Sequence, residues 1–171
     1  MDKPKLIVMA GLQGSGKSTI AEEISKQLKI FILSVDPIHS SILKAGIEDS
    51  FEVGLADYLV AERLADENLA RGISGIIDAS NYVDKAQSMW EKLASKHGIQ
   101  LKVIECKIDE DTHKHRIGRR VRQISGIKEV SWEDVLKRKV ETVEWDIEKL
   151  QLDTKLPMNE NTQKAINYIT K

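Results

Sequence analysis

The sequence predicts an α/β fold in which a parallel β-sheet carries helices on both faces. Short apolar segments alternate with stretches whose apolar residues recur at helical spacing, a pattern typical of parallel strands joined by right-handed helical crossovers. The chain has 171 residues, a length that suits one domain, and it has no Gly/Ser-rich or Pro-rich linker that would divide it. We therefore expect a single domain across residues 1–171.

The first half of the chain predicts three strands, each followed by a glycine or an aspartate. The strands are Leu6–Ala10, Phe31–Val35 and Ile73–Ile77, and the residues that follow them are Gly11, Asp36 and Asp78. Apolar residues recur every four positions from Ile20 onwards, which predicts one helix, and a second helix is expected over residues 51–71. Ligands of parallel sheets bind outside the C-terminal ends of the strands, so the three residues that follow the strands are expected at a ligand site.

The second half of the chain predicts two further strands and four helices. A helix with apolar residues between Ala86 and Ala94 precedes a strand over Leu101–Ile108, and a basic helix follows over Asp109–Arg122. Ser131 and Asp134 have the spacing of a capping box, which would open a long helix whose apolar face continues as far as Leu150. We expect the fifth strand near Lys155–Met158 and a last helix that carries Ile166 and Ile169.

Residues Gly11–Ser18 match the phosphate-loop pattern G-x-x-x-x-G-K-[ST] at every fixed position. Glycines let backbone N–H groups converge on one phosphate, and the helix that follows points its positive dipole end at the same anion. Lys17 would reach the β- and γ-phosphates, and Ser18 would supply a hydroxyl ligand to Mg²⁺. The residues expected to bind ATP are Gly11, Leu12, Gln13, Gly14, Ser15, Gly16, Lys17, Ser18 and Thr19.

Two aspartates that follow predicted strands are candidates for chemistry. Asp36 would face the γ-phosphate and accept the proton of an incoming hydroxyl, or help to hold Mg²⁺; alternatively, it caps a helix that begins at Pro37. Asp78 ends an apolar strand in the way usual for a carboxylate that holds Mg²⁺; alternatively, it builds a turn with the polar residues that follow. We favour the chemical role at both positions, so Ser18 and Asp78 are the expected metal ligands.

A basic segment follows the fourth predicted strand. Between Lys114 and Lys128 the chain has six lysines and arginines and no carboxylate. On a helix, Arg116, Arg119 and Arg120 would share one face. Arginines stabilise the charge of a transferring phosphoryl group, and a single arginine finger contributes about 10³–10⁵ in rate. We expect these arginines to act catalytically from a lid, and the alternatives are a solvated basic helix or an RNA-contacting strip.

Taken together, the motifs resemble those of the small P-loop kinases. The matching elements are, in order, Gly11–Thr19, Asp36, Asp78–Asn81, Arg116–Arg119 and Ser131–Val135. The similar branch includes the kinase domain of polynucleotide kinases, chloramphenicol phosphotransferase and the zeta-toxin-like kinases. The resemblance implies a three-layer P-loop kinase fold with a five-stranded parallel sheet and a helical lid. It also implies an ATP-dependent kinase, Asp36 as general base, an acceptor-binding insertion at about 37–71 and a lid at about 112–131.

The segment expected to bind the acceptor is acidic. Between Pro37 and Glu62 it has five carboxylates and one lysine, whereas a nucleoside-monophosphate kinase needs cations to hold the phosphate of its acceptor. Polynucleotide kinases also commonly carry an arginine three positions after the base, where this chain has His39. We expect a small neutral or cationic acceptor such as a sugar, nucleoside, amino alcohol or antibiotic. The alternatives are a polynucleotide 5′-hydroxyl kinase or RNA-end binder, which we disfavour, and an ATP-hydrolysing regulatory switch.

Composition and charge limit the remaining classes of protein. The 26 basic and 27 acidic residues give a net charge of −1, which provides no general attraction for nucleic acid or membranes. The apolar run Leu6–Ala10 is far shorter than the roughly 20 residues of a membrane-spanning helix. The single cysteine, Cys106, cannot form an internal disulfide. We therefore expect a reduced, cytoplasmic protein without a membrane partner.

Other residues with chemical potential are interpreted as structural. His113 and His115 are two positions apart on a helix, so they point away from each other and are expected at the surface. Cys106 lies in a predicted strand and is expected to be a small buried residue. The tryptophans Trp90, Trp132 and Trp145 are expected mostly in the core or covering helix faces.

Overall fold

A computed structural model describes residues 3–119 and 129–171, which form one five-stranded sheet and seven helices. All four strand pairs are parallel, and the strand order is β2-β3-β1-β4-β5. The strands are β1 (Leu6–Ala10), β2 (Phe31–Ser34), β3 (Gly75–Asp78), β4 (Leu101–Lys107) and β5 (Lys149–Asp153). The helices are α1 (Lys17–Leu28), α2 (Val35–Lys44), α3 (Phe51–Ala70), α4 (Asp84–Lys96), α5 (Glu110–Arg119), α6 (Trp132–Val140) and α7 (Met158–Thr170). The predicted α/β fold is confirmed.

The central strand β1 separates two apolar layers. Leu6, Val8 and Ala10 face a cluster that includes residues of α3 and α4, with Trp90 fully buried. Ile7 and Met9 face the other cluster, formed largely by α1 and α7. Because β1 is buried on both faces, its continuous apolar sequence is that of a central parallel strand. The sheet therefore holds the turn after β1 on a rigid base.

The prediction of one long helix from Ser131 to Leu150 is wrong. The capping box forms, with Ser131 accepting from the backbone of Asp134, but α6 ends at Val140 and the chain then returns to the sheet as β5. Leu150 and Leu152 are two positions apart and both pack on the α1–α7 layer, so they belong to a strand. The apolar residues between Trp132 and Leu150 could follow a helical or a strand spacing, and pairing with β4 decides in favour of a strand here. Residues Val103–Lys107 of β4 align with Lys149–Asp153.

The fifth strand consequently lies earlier than predicted. Residues near Lys155 form a turn after β5, and α7 begins at Met158, behind Pro157. Proline fixes its own φ and cannot donate a backbone hydrogen bond, so it suits this helix start and not a strand. The alternation between Leu150 and Leu152 was the available sequence signal for β5.

The segment after β2 also differs from the prediction, because the strand ends at Ser34 and Val35 begins α2. Asp36 is therefore in the first turn of a helix. Its carboxylate is placed where a helix favours negative charge. Among the described residues, no helix combines the length and the apolar character that crossing a membrane requires.

Candidate functional site

The turn between β1 and α1 has the backbone conformation that a phosphate loop needs. Gly11, Gly14 and Gly16 have φ values of 135°, 83° and 92°, a region that residues with a side chain rarely adopt. A Cβ on Gly14 would lie 2.7 Å from Cδ1 of Ile117, so α5 packs directly against the turn. Ser15 and Lys17 are buried within the loop. The turn can thus direct backbone N–H groups at an anion at the start of α1.

Neighbouring elements hold this turn in place from two sides. The Gly11 N–H donates to the Ser80 carbonyl at 3.1 Å, which ties the loop to the segment after β3. The imidazole of His113 donates from Nε2 to the Gln13 carbonyl at 2.7 Å. Only 6% of His113 is exposed, and its ring meets Trp132 edge-on with centroids 5.3 Å apart. The expectation of a surface His113 is therefore wrong, because α5 turns this residue toward the loop.

Oxygen donors converge beside the loop at the ends of β2 and β3. The Ser18 hydroxyl donates to Oδ1 of Asp78 at 3.1 Å, and the Ser34 hydroxyl donates to Oδ2 at 3.2 Å. A hydroxyl and a carboxylate are ligands that Mg²⁺ accepts, and Mg²⁺ in nucleotide sites usually keeps waters and phosphate oxygens as its other ligands. In the described part of the chain, no group of three or more histidine, cysteine or acidic side chains is arranged to hold a metal by itself. The donor set therefore fits an ion that arrives with a nucleotide.

A cavity of about 450 Å³ opens on the α1 side of the loop. Its lining includes Lys17, Arg116 and Arg119, together with the apolar Leu156 and Met158 before and at the start of α7. Two nitrogens of the Arg116 guanidinium donate to Thr154, one to Oγ1 at 3.1 Å and one to the carbonyl at 2.8 Å. These cations provide a site for phosphates next to an apolar wall. Arg120 lies outside the described residues, as do the other residues of the predicted lid between 121 and 128.

Carboxylates surround the first turn of α2. His39 follows Asp36 by one turn, and its Nδ1 lies 2.7 Å from Oδ2 of Asp57 on α3, which is only 2% exposed. Burial raises the pKa of Asp57, the hydrogen bond with His39 opposes that rise, and the charges of Asp49 and Asp36 add to it. Burial also raises the pKa of Tyr58 to about 12, with a further contribution from Asp36. Asp36 therefore shares a polar neighbourhood with α3.

A second cavity, of about 360 Å³, lies on the other side of the phosphate loop. Gly11, Leu12 and Ser15 form one wall, and the ends of β3 and β4 form another. Aromatic rings complete it, namely those of Tyr82, Trp132 and Trp145. Residues 37–71 contribute none of the described residues that line it. The loop thus has one cavity on each side.

The phosphate loop and the two aspartates described above also fall within the part of the sequence that matches a known family. A family model described as an AAA domain matches residues 6–142, which include the phosphate loop and both aspartates. The chain belongs to this AAA-domain family. No curated protein sequence matches it.

Solved structures place this AAA-domain chain in the fold of the small P-loop kinases. A protein from Chloroflexus aurantiacus J-10-fl, provisionally described as a kinase, is 21% identical, with a TM-score of 0.79 over 99% of this chain and 98% of that one. The Mycobacterium tuberculosis APS kinase, solved with AMPPNP and APS, is 17% identical, with a TM-score of 0.77 over 100% of both chains. A gluconokinase from Sinorhizobium meliloti 1021 is 18% identical, with a TM-score of 0.65 over 99% of this chain and 94% of that one. At these identities the likeness establishes the fold.

Within this AAA-domain fold, the residues of the loop, Asp78, Arg116 and Arg119 gather around one edge of the sheet, as the sequence predicts for a site. The motifs do not identify His113, which supports the loop through Gln13. Ile117 follows His113 by four positions, so a shared buried helix face was the one available signal for that histidine. Cys106 is buried as expected, and burial raises its pKa to about 12, so the thiol is not a nucleophile near neutral pH.

Proposed function

We propose that this protein is an ATP-dependent kinase that transfers the γ-phosphoryl group to a hydroxyl of a small neutral or cationic acceptor. The observation that carries the proposal is the pair of cavities, one on each side of a single phosphate loop. A transferase needs two sites that meet at the group being transferred, whereas a hydrolase or switch needs only the nucleotide site and water. The kinase neighbours have the same fold, which is consistent with this proposal.

In this proposal the cationic cavity on the α1 side holds ATP. The loop backbone from Gly11 to Thr19 cradles the phosphates, and Lys17 lies against the β- and γ-phosphates. Arg116 and Arg119 stabilise the charge that spreads over the phosphoryl oxygens. Ser18 and Asp78 would hold Mg²⁺, which neutralises phosphate charge when it is bound with the nucleotide.

Asp36 acts as the general base. Its carboxylate accepts the proton of the acceptor hydroxyl while that oxygen bonds to the γ-phosphorus, and the bond to the bridging oxygen breaks so that ADP leaves. Asp36 lies in the first turn of α2, and its charge acts on the buried Asp57 of α3. The charged side chains that line the second cavity are paired with carboxylates or lysines, so the described part of its lining offers no unmatched cation to an acceptor that carries a phosphate of its own.

The experiment is Asp36→Asn, with ATP binding and phosphoryl transfer measured separately. We expect transfer to fall by about 10²–10⁴-fold, the contribution of a general base, while the Kd for ATP stays within about threefold. Asp84→Asn is the matched control, because Asp84 also occupies the first turn of a helix but lies at the surface. Unchanged transfer by Asp36→Asn would remove its role as base. Acceptor-independent ATP hydrolysis, with no phosphorylated alcohol, would favour the regulatory switch.

A further inference from the structure

We propose that the cavity beside Trp132 binds the planar aromatic part of an uncharged acceptor alcohol. This inference rests on the proposed kinase function, because the cavity adjoins the phosphate loop through Gly11, Leu12 and Ser15. Its volume of about 360 Å³ falls within the range of small-molecule sites, roughly 300–1,000 Å³.

Aromatic side chains form much of the cavity wall. Tyr82, Trp132 and Trp145 come from three separate segments, and the sequence has only eight phenylalanine, tyrosine and tryptophan residues in all. Trp132 is half-buried, so one part of its ring packs on His113 and another part is open to a ligand. A flat ring stacks on such a surface, and stacking of a base on an aromatic side chain contributes about 1–3 kcal/mol. The wall therefore favours a planar group over a puckered one.

Hydrogen-bonding groups accompany these rings. The indole N–H of the buried Trp145 and the hydroxyl of the buried Ser15 have no hydrogen-bond partner among the described residues. Burial also raises the pKa of Tyr82, so its hydroxyl stays protonated and able to donate near neutral pH. A nitrogen or oxygen acceptor on the ligand would suit this donor-rich wall, which points to a heteroaromatic or oxygenated ring.

The charges of the lining are matched with one another. Lys139 lies 3.0 Å from Glu110, and Lys107 lies 3.5 Å from Glu105. The third lining carboxylate, Glu144, is 2.8 Å from Lys149 at the edge of the cavity. In the described part of the lining, neither an unmatched cation for a phosphate nor an unmatched carboxylate for an ammonium group is present. Recognition through ring stacking therefore outweighs recognition through charge.

The test measures binding by calorimetry with the full chain and saturating AMPPNP–Mg²⁺, which keeps the probes out of the nucleotide cavity. Adenosine, ribose and adenosine 5′-monophosphate form one series, and 2-phenylethanol with 2-cyclohexylethanol forms a matched pair. We expect adenosine to bind at least tenfold more tightly than ribose or the monophosphate, and the phenyl compound more tightly than the cyclohexyl compound. Choline tests the rival case in which the aromatic wall binds a cation.

The matched variants are Trp132→Leu, Trp132→Phe and Tyr168→Leu. The leucine at position 132 should weaken adenosine binding about tenfold and leave AMPPNP binding unchanged, whereas phenylalanine, which still offers a flat ring, should stay within about threefold of the native protein. Tyr168 is a half-buried aromatic residue on α7 that lines neither cavity, so Tyr168→Leu should change neither affinity. If Trp132→Leu fails to fold, the affinities of the ligand series for the native chain and for Trp132→Phe still test whether the cavity prefers planar rings.

Several results would overturn the inference. These are equal affinity for adenosine and ribose, tighter binding of choline than of adenosine, or an unchanged affinity in Trp132→Leu. A protein that binds AMPPNP but none of the alcohols would also overturn it, while leaving the nucleotide part of the proposed function in place. Binding of adenosine without any phosphoryl transfer would support the aromatic cavity and count against the kinase.

Discussion

The two sides of the phosphate loop are built in different ways. The nucleotide side depends on a continuous stretch of backbone, in which glycines at positive φ lead into the N-terminus of α1. The opposite side depends on side chains from the ends of β3 and β4, from α5 and α6, and from the chain before β5. A site built from backbone keeps its ligand preference when single side chains change, whereas the preference of a site built from side chains can be altered one residue at a time. Under the proposed function, this difference would put nucleotide binding in the motif and the choice of acceptor in the surrounding fold.

The segment after β3 bonds to the phosphate loop through the Ser80 carbonyl and lines the second cavity, and Asn81→Ala in this segment should have the largest effect on stability. The Asn81 side chain is fully buried; its Nδ2 donates to the Met9 carbonyl at 2.7 Å, and its Oδ1 accepts from Trp90 at 2.8 Å. Alanine would leave both of these groups unpaired in the core. We expect a loss of roughly 2–4 kcal/mol in the free energy of unfolding, measured by urea denaturation.

The control for that variant is Asn68→Ala. Asn68 also donates to a backbone carbonyl, that of Leu64, but the residue is only half-buried on α3 and its hydrogen bond is exposed. Substitution there should change stability by at most about 0.5 kcal/mol. Similar losses for the two variants would mean that the bonds of Asn81 contribute little to the fold.

Gly14→Ala separates the two sides by damaging the backbone of the nucleotide site. Its φ of 83° and the 2.7 Å approach of Ile117 leave no room for a Cβ without moving the loop. We expect ATP to bind about 10–100-fold more weakly, as measured by calorimetry, while the aromatic cavity keeps its affinity for neutral alcohols within about threefold.

Gly72→Ala is the matched control, since Gly72 has a φ of 78° and no atom within 4 Å of the position of a Cβ. It should lower stability through backbone strain alone and leave the affinity for ATP unchanged. If ATP bound equally well to Gly14→Ala and the native protein, nucleotide binding would not depend on the shape of this turn.

The same contrast explains how much the sequence could predict. The phosphate loop and four of the five strands follow from local pattern, because each depends on neighbouring residues and on burial. The strand β5 could not be separated from a helix by spacing alone, since its pairing with β4 joins residues about 46 positions apart, Glu105 and Gln151. The aromatic cavity is less predictable still, because Tyr82, Trp132 and Trp145 meet only in the folded chain.

His113 contacts both the phosphate loop and the aromatic cavity, so its substitution tests how much the loop depends on α5. It donates to the Gln13 carbonyl of the loop, and its ring contacts Trp132 of the aromatic cavity. His113→Ala removes one hydrogen bond, worth about 0.5–1.5 kcal/mol, so we expect ATP affinity to fall about 3–10-fold in calorimetry. His113→Gln retains an N–H donor and should recover part of that loss. An unchanged affinity in His113→Ala would show that the loop holds its shape without α5.

The smallest effect is expected at Asp109, which precedes α5 and lines neither cavity. Its carboxylate accepts from the Thr112 N–H at 3.1 Å and lies 3.1 Å from Lys155, and these contacts, the first of them foremost, lower its pKa to about 2. A lowered pKa in the folded state stabilises the protein above the unfolded value of about 4, and this contribution disappears as the pH falls toward 2. Urea denaturation should therefore show Asp109→Ala less stable than the native chain above pH 5, with the difference shrinking between pH 4 and 2. Asp109→Asn keeps a capping oxygen without a titrating charge. If the native chain and Asp109→Ala differed in stability by the same amount at every pH, and Asp109→Asn were as stable as the native chain, the effect would belong to the cap alone.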